Sequence, residues 1–453
     1  MIFRQAILRA CDRRVISLAM ALITFGAANA NDALPPMHQA VFDGDVESVS
    51  LLIDDGESVN AKTLYGVTPL EIACRDGNSI IANQLIDAGA DVAIELPGRT
   101  TLLMLAARCG DRETVGLLIE NDADVNATER QGQTALMWAA AAGNAEAIDA
   151  LVSAGAELEA TSRTDFTALG FACRQGHRLA AQRLVEAGAD LRRTMAPKKT
   201  SGRNPRKGMS PLMLAVESGH FELAMWLIDR GADPNDQRSG YTPLHAVTWV
   251  RKTNRGDDIA GDPPPRGSGN LNSLDFVRRW VASGGEINTA LRRGPGGKAK
   301  LNRRGATAFL LAAKTADLPL LELLVELGAD PTMTNVDQCD ALMAASGIGV
   351  VAVGEEAGTE DEVLATIDWL VELGLDPNAI DQNGETAMHG AAYRNFPRVV
   401  ARLAELGAKS SVWNQKNKYG WTPKMIASGS RPGSFKPSPE TIEALEAALL
   451  SGT

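Results

Sequence analysis

Thr68-Pro-Leu-Glu-Ile-Ala-Cys-Arg-Asp-Gly77 reads as one short helix with both ends written in. The Thr68 hydroxyl can cap the first turn, and Pro69 at the first helical position has no amide that needs a partner. Gly77 supplies the left-handed residue that stops the helix. The same text returns as Thr101-Leu-Leu-Met-Leu-Ala106, Thr134-Ala-Leu-Met-Trp-Ala139 and Thr167-Ala-Leu-Gly-Phe-Ala172. The stop glycines Gly44, Gly77, Gly110, Gly143 and Gly176 stand 33 residues apart. No single core imposes that spacing, so the chain is one supersecondary unit copied in tandem.

Between copies a second apolar stretch fills the same slot with Leu52, Leu85, Leu118, Leu151, Leu184, Leu227 and Leu324, and a second glycine ends it, as in Gly89-Ala-Asp91 and Gly231-Ala-Asp233. These T-P-L-H-x-A-like motifs and their 33-residue period resemble the ankyrin-repeat family over nearly all of the chain after residue 34. The resemblance implies an all-α solenoid of helix-turn-helix repeats with β-hairpin finger loops, stabilised by stacking because one helix pair cannot bury its own apolar face. Eleven repeats are expected, starting near residues 35, 68, 101, 134, 167, 210, 242, 307, 340, 386 and 422. The first and last are imperfect, as capping repeats are.

Residues 1–30 stand apart. Four arginines (Arg4, Arg9, Arg13, Arg14) precede the apolar run Val15 to Ala28, and Ala28-Asn29-Ala30 has the small residues of a cleavage site. This is the layout of a secretory signal peptide, and the apolar run is shorter than the ~20 residues of a membrane span. The expected division is a leader at 1–30 and a solenoid at 31–453, regular over 34–192 and carrying insertions over 193–453. The expected location is the periplasm or the exterior, with no membrane span after cleavage and a monomeric state. Removing the leader takes the formal charge from −11 to −14, a balance that favours solubility and opposes nucleic-acid binding.

Catalytic and metal chemistry find no footing. His38, His245 and His389 fall at the fourth position of their repeats, and His177 and His220 follow stop-glycine positions. Repeat register therefore accounts for all five histidines. There is no phosphate loop, haem motif or Gly-x-Ser-x-Gly elbow. Cys74, Cys109, Cys173 and Cys339 lie in slots too far apart to pair and are expected as free thiols. No enzyme, cofactor or metal is expected.

The departures from register carry more. The distance from Thr to the second glycine is normally 21 residues but grows to 42 in repeat seven, around Arg251 to Asn272, and to 34 in repeat nine, around Ile348 to Asp361. The distance from second glycine to next Thr is normally 12 but reaches 22 after Gly188 and 23 after Gly284. Those two finger insertions are basic, whereas the repeat-nine insertion holds Glu355, Glu356, Glu360 and Asp361 and no base.

The resemblance further implies that fingertips and the exposed end of each first helix face a partner. The fingertip slot holds Arg130, Arg163, Arg206, Arg238, Arg303 and Lys418, and the helix slot holds Arg75, Arg108, Arg174 and Lys314. Tyr65, Phe166, Tyr241, Tyr419 and Trp421 lie at fingers, and Trp249 and Tyr393 take the helix slot. Arginine with Tyr and Trp is the composition of binding hot spots. The expected function is a non-enzymatic module that binds an acidic protein partner. The alternative is a binder of an anionic polymer or small ligand near the inserted loops of repeats five to nine. The aromatic segments Gly384 to Tyr393 and Val412 to Trp421, with Arg431 to Pro437, look like the C-terminal part of a bacterial subgroup of exported ankyrin proteins. They also suit a cap that seals the apolar end of the stack.

Overall fold

The computed structural model describes residues 34–109, 111–198, 207–253, 264–294, 300–351, 353–354, 356–430 and 437–451. Among these residues there are 23 helices and no named strand, and the helices pair into eleven repeats with one extra four-residue helix at Ser410–Trp413. The expected leader at 1–30, the stop glycine at 110 and the fingertip residue Arg206 lie outside the described residues.

The helix ends are made as the text dictates. Thr68, Thr134, Thr167, Ser210, Thr242, Thr307, Asp340 and Thr422 each accept a hydrogen bond from the amide three residues on. Gly44, Gly77, Gly143 and Gly176 hold the left-handed stop conformation. The leucine slot is sealed in six of its seven members, from Leu85 to Leu324, while Leu52 at the N-terminal end stays half-buried.

Stacking is reinforced by polar links. Asn60 donates to the Gly89 carbonyl at 2.9 Å and accepts from the Asp91 amide at 2.8 Å. Asn126, Asn235, Asn288 and Asn378 repeat this bridge to the following repeat. The fingers are tight turns closed by one neck bond, such as Thr63 N–H to Val67 O at 2.9 Å, with an isolated bridge between Leu96 and Thr100. Adjacent fingertips join through the main chain, as from the Arg163 amide to the Gln131 carbonyl at 2.7 Å.

Two compact bodies emerge. The first holds the described residues to Asp190 with 197–198, and the second holds 191–196 with the described residues from 207 on. In each body first helices pack on first helices and second on second. In the second body the last helix, Pro439–Ser451, packs along Pro397–Glu405, and the Trp413 indole is 2% exposed.

Candidate functional site

In the first body the helix-slot arginines end up at the surface beside a partner of their own. Arg75 pairs with Glu71 one turn back. Arg108 lies over the Trp138 ring of the next repeat at 5.3 Å, and Arg174 lies over Phe166 at 5.3 Å. Phe166 itself is buried and stacks on Phe171, so it holds the finger rather than facing outward. At the fingertips, Arg130 and Arg163 use their main-chain amides to join neighbouring fingers and leave their side chains exposed.

In the second body the two basic finger insertions rise from ordinary necks. The Met195 amide donates to Met209 O at 2.8 Å, and the Leu291 amide donates to Ala306 O at 2.9 Å. These are the neck bonds of a regular finger, so the stack below is undisturbed. Between these two fingers and the finger of Arg238 opens a cleft of about 890 Å³. Met195, Tyr241, Trp249 and Leu291 supply its apolar lining, and Lys207, Arg238, Arg292, Arg293 and Arg303 supply its charge. No carboxylate lines it among the described residues. Tyr241 and Trp249 meet edge to face at 4.9 Å, and the buried Tyr241 hydroxyl donates to Glu217. Arg238 is fixed by Asp236, with contacts of 2.8 and 3.0 Å, and donates to Arg192 O at 2.7 Å. Lys207, Arg292 and Arg293 are exposed and form no ion pair among the described residues.

Other expected contact residues are not at the surface. Lys314 is 6% exposed, and its ammonium donates to Glu356 Oε2 at 2.9 Å. The reason is the repeat-nine insertion, which folds back over the helix slot and sets its acid against that lysine. Glu356 also accepts the Val351 amide at 2.7 Å, and the neighbouring cation holds its carboxyl below the usual range despite burial. Glu360 and Asp361, expected as loop acids, belong to the first turn of the helix Glu360–Glu372, where the helix dipole favours them. Tyr393 is fully buried, its hydroxyl donating to Glu385 Oε1 at 2.7 Å, so it seals the stack. Tyr419 and Trp421 remain half-buried at the finger of repeat eleven, ring to ring at 5.4 Å.

Comparison with known families bears on all of this. The family model described as "Ankyrin repeats (3 copies)" matches residues 7–95, 103–195 and 196–253, more than half of the chain. The chain is an ankyrin-repeat protein. A second ankyrin model, of many copies, matches residues 359–404 of this ankyrin-repeat protein. The first match begins inside the stretch read as a leader. Among curated proteins, "Glycerophosphocholine phosphodiesterase gde1" of Schizosaccharomyces pombe is 38% identical over 64 residues, which is 14% of this chain and 6% of that protein. "Ankyrin repeat, SAM and basic leucine zipper domain-containing protein 1" is 34% identical over 128 residues in Atelerix albiventris and 31% identical over 107 residues in Dasypus novemcinctus. These alignments cover 28% and 24% of this chain and 23% and 21% of those relatives. The chain thus spans less than a quarter of the length of these relatives, all of them eukaryotic, and the bacterial subgroup gains no support from them.

Three histidines of this ankyrin-repeat protein make contacts within the stack. His245 meets Thr242 Oγ1 at 2.7 Å and Ala306 O at 3.3 Å, and His389 meets Thr386 Oγ1 at 3.1 Å and Gln415 O at 3.2 Å. Each ring ties its own cap to the next finger, and burial pulls both down to about 4. His38 reaches the next finger only, meeting Val67 O at 2.9 Å without a bond to its own cap. Cys74, Cys109, Cys173 and Cys339 are free, with burial raising the thiols of Cys74, Cys173 and Cys339. No group of three or more potential ligands could hold a metal among the described residues. No described helix is long and apolar enough to cross a membrane. The sequence reading missed Met195 and Leu291 as cleft residues. Their signal was present, because each stands at the neck position where an inserted finger leaves the repeat.

Proposed function

We propose that this ankyrin-repeat protein is a non-enzymatic interaction module that binds an acidic protein partner through its fingers and helix ends. The observation that carries this reading is the cleft of the second body, with five cationic side chains over aromatic and aliphatic residues and no lining carboxylate among the described residues. A chain of net charge −11 that gathers cations here gains selective attraction for an acidic surface without becoming generally basic. The exposed Arg130 and Arg163 of the first body extend the same chemistry. The module acts as a monomer after export and removal of residues 1–30. N-terminal sequencing of the protein recovered from outside the cytoplasm should then begin at Asn31.

The test is affinity capture from an extract of the compartment where the protein resides, run at low and high salt. It compares the native chain with Arg130→Glu, Arg163→Glu, Arg292→Glu and Arg293→Glu combined. Specific partners should be acidic, released by salt and lost with the reversed chain. Partners retained equally by both chains at both salt levels would sink the reading. The cleft volume favours a second reading, a small anion or an anionic polymer as the natural ligand. Inorganic polyphosphate that competes for the cleft more strongly than any acidic protein would favour it.

A further inference from the structure

We infer that the cleft selects an extended acidic peptide segment carrying one apolar anchor side chain, rather than acidity alone; this rests on the function proposed above. Three observations converge. The first is the distribution of chemistry. Lys207 comes from one finger and Arg292 and Arg293 from another, while Tyr241 and Trp249 supply an apolar surface in the same cleft. A polyanion would satisfy the cations and leave that surface wet, whereas an acidic segment with an aromatic or aliphatic side chain satisfies both.

The second observation concerns main-chain groups. At five junctions the amide four residues before a cap donates to the preceding finger: Arg130 to Gly98 O, Arg163 to Gln131 O, Val336 to Arg304 O, Gln382 to Asp337 O and Lys418 to Asn383 O. At the junction beside the cleft the Arg238 amide turns instead to its own Asp236 Oδ1, at 3.1 Å. The Lys207 carbonyl, in the position those acceptors occupy, takes no main-chain amide from finger seven among the described residues. An extended peptide brings amides at regular spacing that can take such an acceptor, and a small anion has no donor to offer it.

The third observation is preorganisation. Tyr241 is held by Glu217 and Met209, and Arg238 by Asp236 and Arg192, so the aromatic wall and one cation are set before any partner arrives. Less ordering is then required on binding. Among the described residues, the carboxylates facing these groups are Asp236 and Glu217, and each is committed to the contact named.

The experiment uses the full chain and fluorescein-labelled nine-residue peptides: Glu/Asp-rich with a central Phe, the same with a central Ala, and nine glutamates. Fluorescence polarisation should give the Phe peptide at least tenfold tighter binding than the other two. Trp249→Ala should remove that advantage and Trp249→Phe should restore most of it. Arg292→Glu with Arg293→Glu should weaken all three peptides. Equal binding of all three peptides to the native chain would overturn the anchor and leave the acidic-partner reading standing. Absence of binding by any acidic peptide would overturn both.

Discussion

The two bodies of this protein use the same position differently. In three repeats of the first, the seventh residue after the cap is an arginine at the surface, resting on Glu71, Trp138 or Phe166. In two repeats of the second, the same position holds Lys314 and Tyr393, both sealed by acids of the chain itself, while Trp249 at that position lines the cleft. Further cations there are also consumed internally: Arg251 grips Asp317 at 2.8 and 2.9 Å, and Lys252 meets Glu362 at 2.8 Å. Buried Arg394 donates to the carbonyls of Lys314, Ala357 and Gly358. An insertion that adds nothing to the period thus decides whether a slot remains a contact surface or becomes core. The cations of the cleft in the second body sit at its fingers.

The largest effect should come from breaking the internal pair. Glu356→Gln leaves Lys314 charged and buried without its counter-ion, which costs about 3–5 kcal/mol. Amide exchange across Ala308–Lys314 should accelerate accordingly, with Ala135–Ala142 of the first body unchanged. A loss below about 1 kcal/mol would show that the slot is open to water after all.

Next comes a pH effect centred on Glu385 of the second body. Burial pushes Glu385 up to about 7, against which Tyr393 and Asn417 donate hydrogen bonds, while the nearby Asp381 raises it further. A carboxyl whose folded pKa is raised contributes stability below its unfolded value of 4.5, and loses it as the pH climbs through about 7. Asp340, pushed up to about 6 by burial, acts in the same direction. His245 and His389, pulled down to about 4, act oppositely and lose stability as the pH falls from 6.5. Glu385→Gln keeps an oxygen for both donors. It should therefore match the native chain near pH 5 and exceed it at pH 8 by up to about 3 kcal/mol in urea unfolding. An equal stability difference at both pH values would remove the linkage.

The smallest effect belongs to the first body. Arg108→Ala gives up a surface contact with Trp138, worth about 0.5–1 kcal/mol. The same change at Arg130 or Arg163 should leave stability within about 0.5 kcal/mol, because these side chains project from fingers held by main-chain bonds. A loss at Arg108 as large as that at Glu356 would erase the contrast between the bodies.

Much of the fold was legible because repeat text is local. Thr68 and Gly77 specify the ends of one helix without reference to anything distant, and ten further copies confirm the reading. The site was legible only where the pattern stays regular. Arg108 and Arg174 lie where register puts them, whereas Lys314 was misread because its burial depends on Glu356, 42 residues away. Tyr393 was misread because Glu385 and Asn417 close around its hydroxyl. Nothing in the local text of either residue announces that partner.

The sequence by itself determined the repeat, its caps, its leucine slot and the places where loops were added, since all of these follow from spacing and short-range backbone chemistry. It also determined that histidine here follows repeat register, and at the fourth position the rings of His245 and His389 reach their own caps. Only the tertiary structure decided which cations remain available. That outcome depends on where the inserted segments return, and the charge of a loop does not specify the slot it will cover. The basic fingers frame a cleft beside Tyr241 and Trp249, and the acidic insertion closes over Lys314. The physical reason is that periodicity fixes a helix's position in the stack, whereas burial of a charge is settled by contacts between residues far apart in the chain.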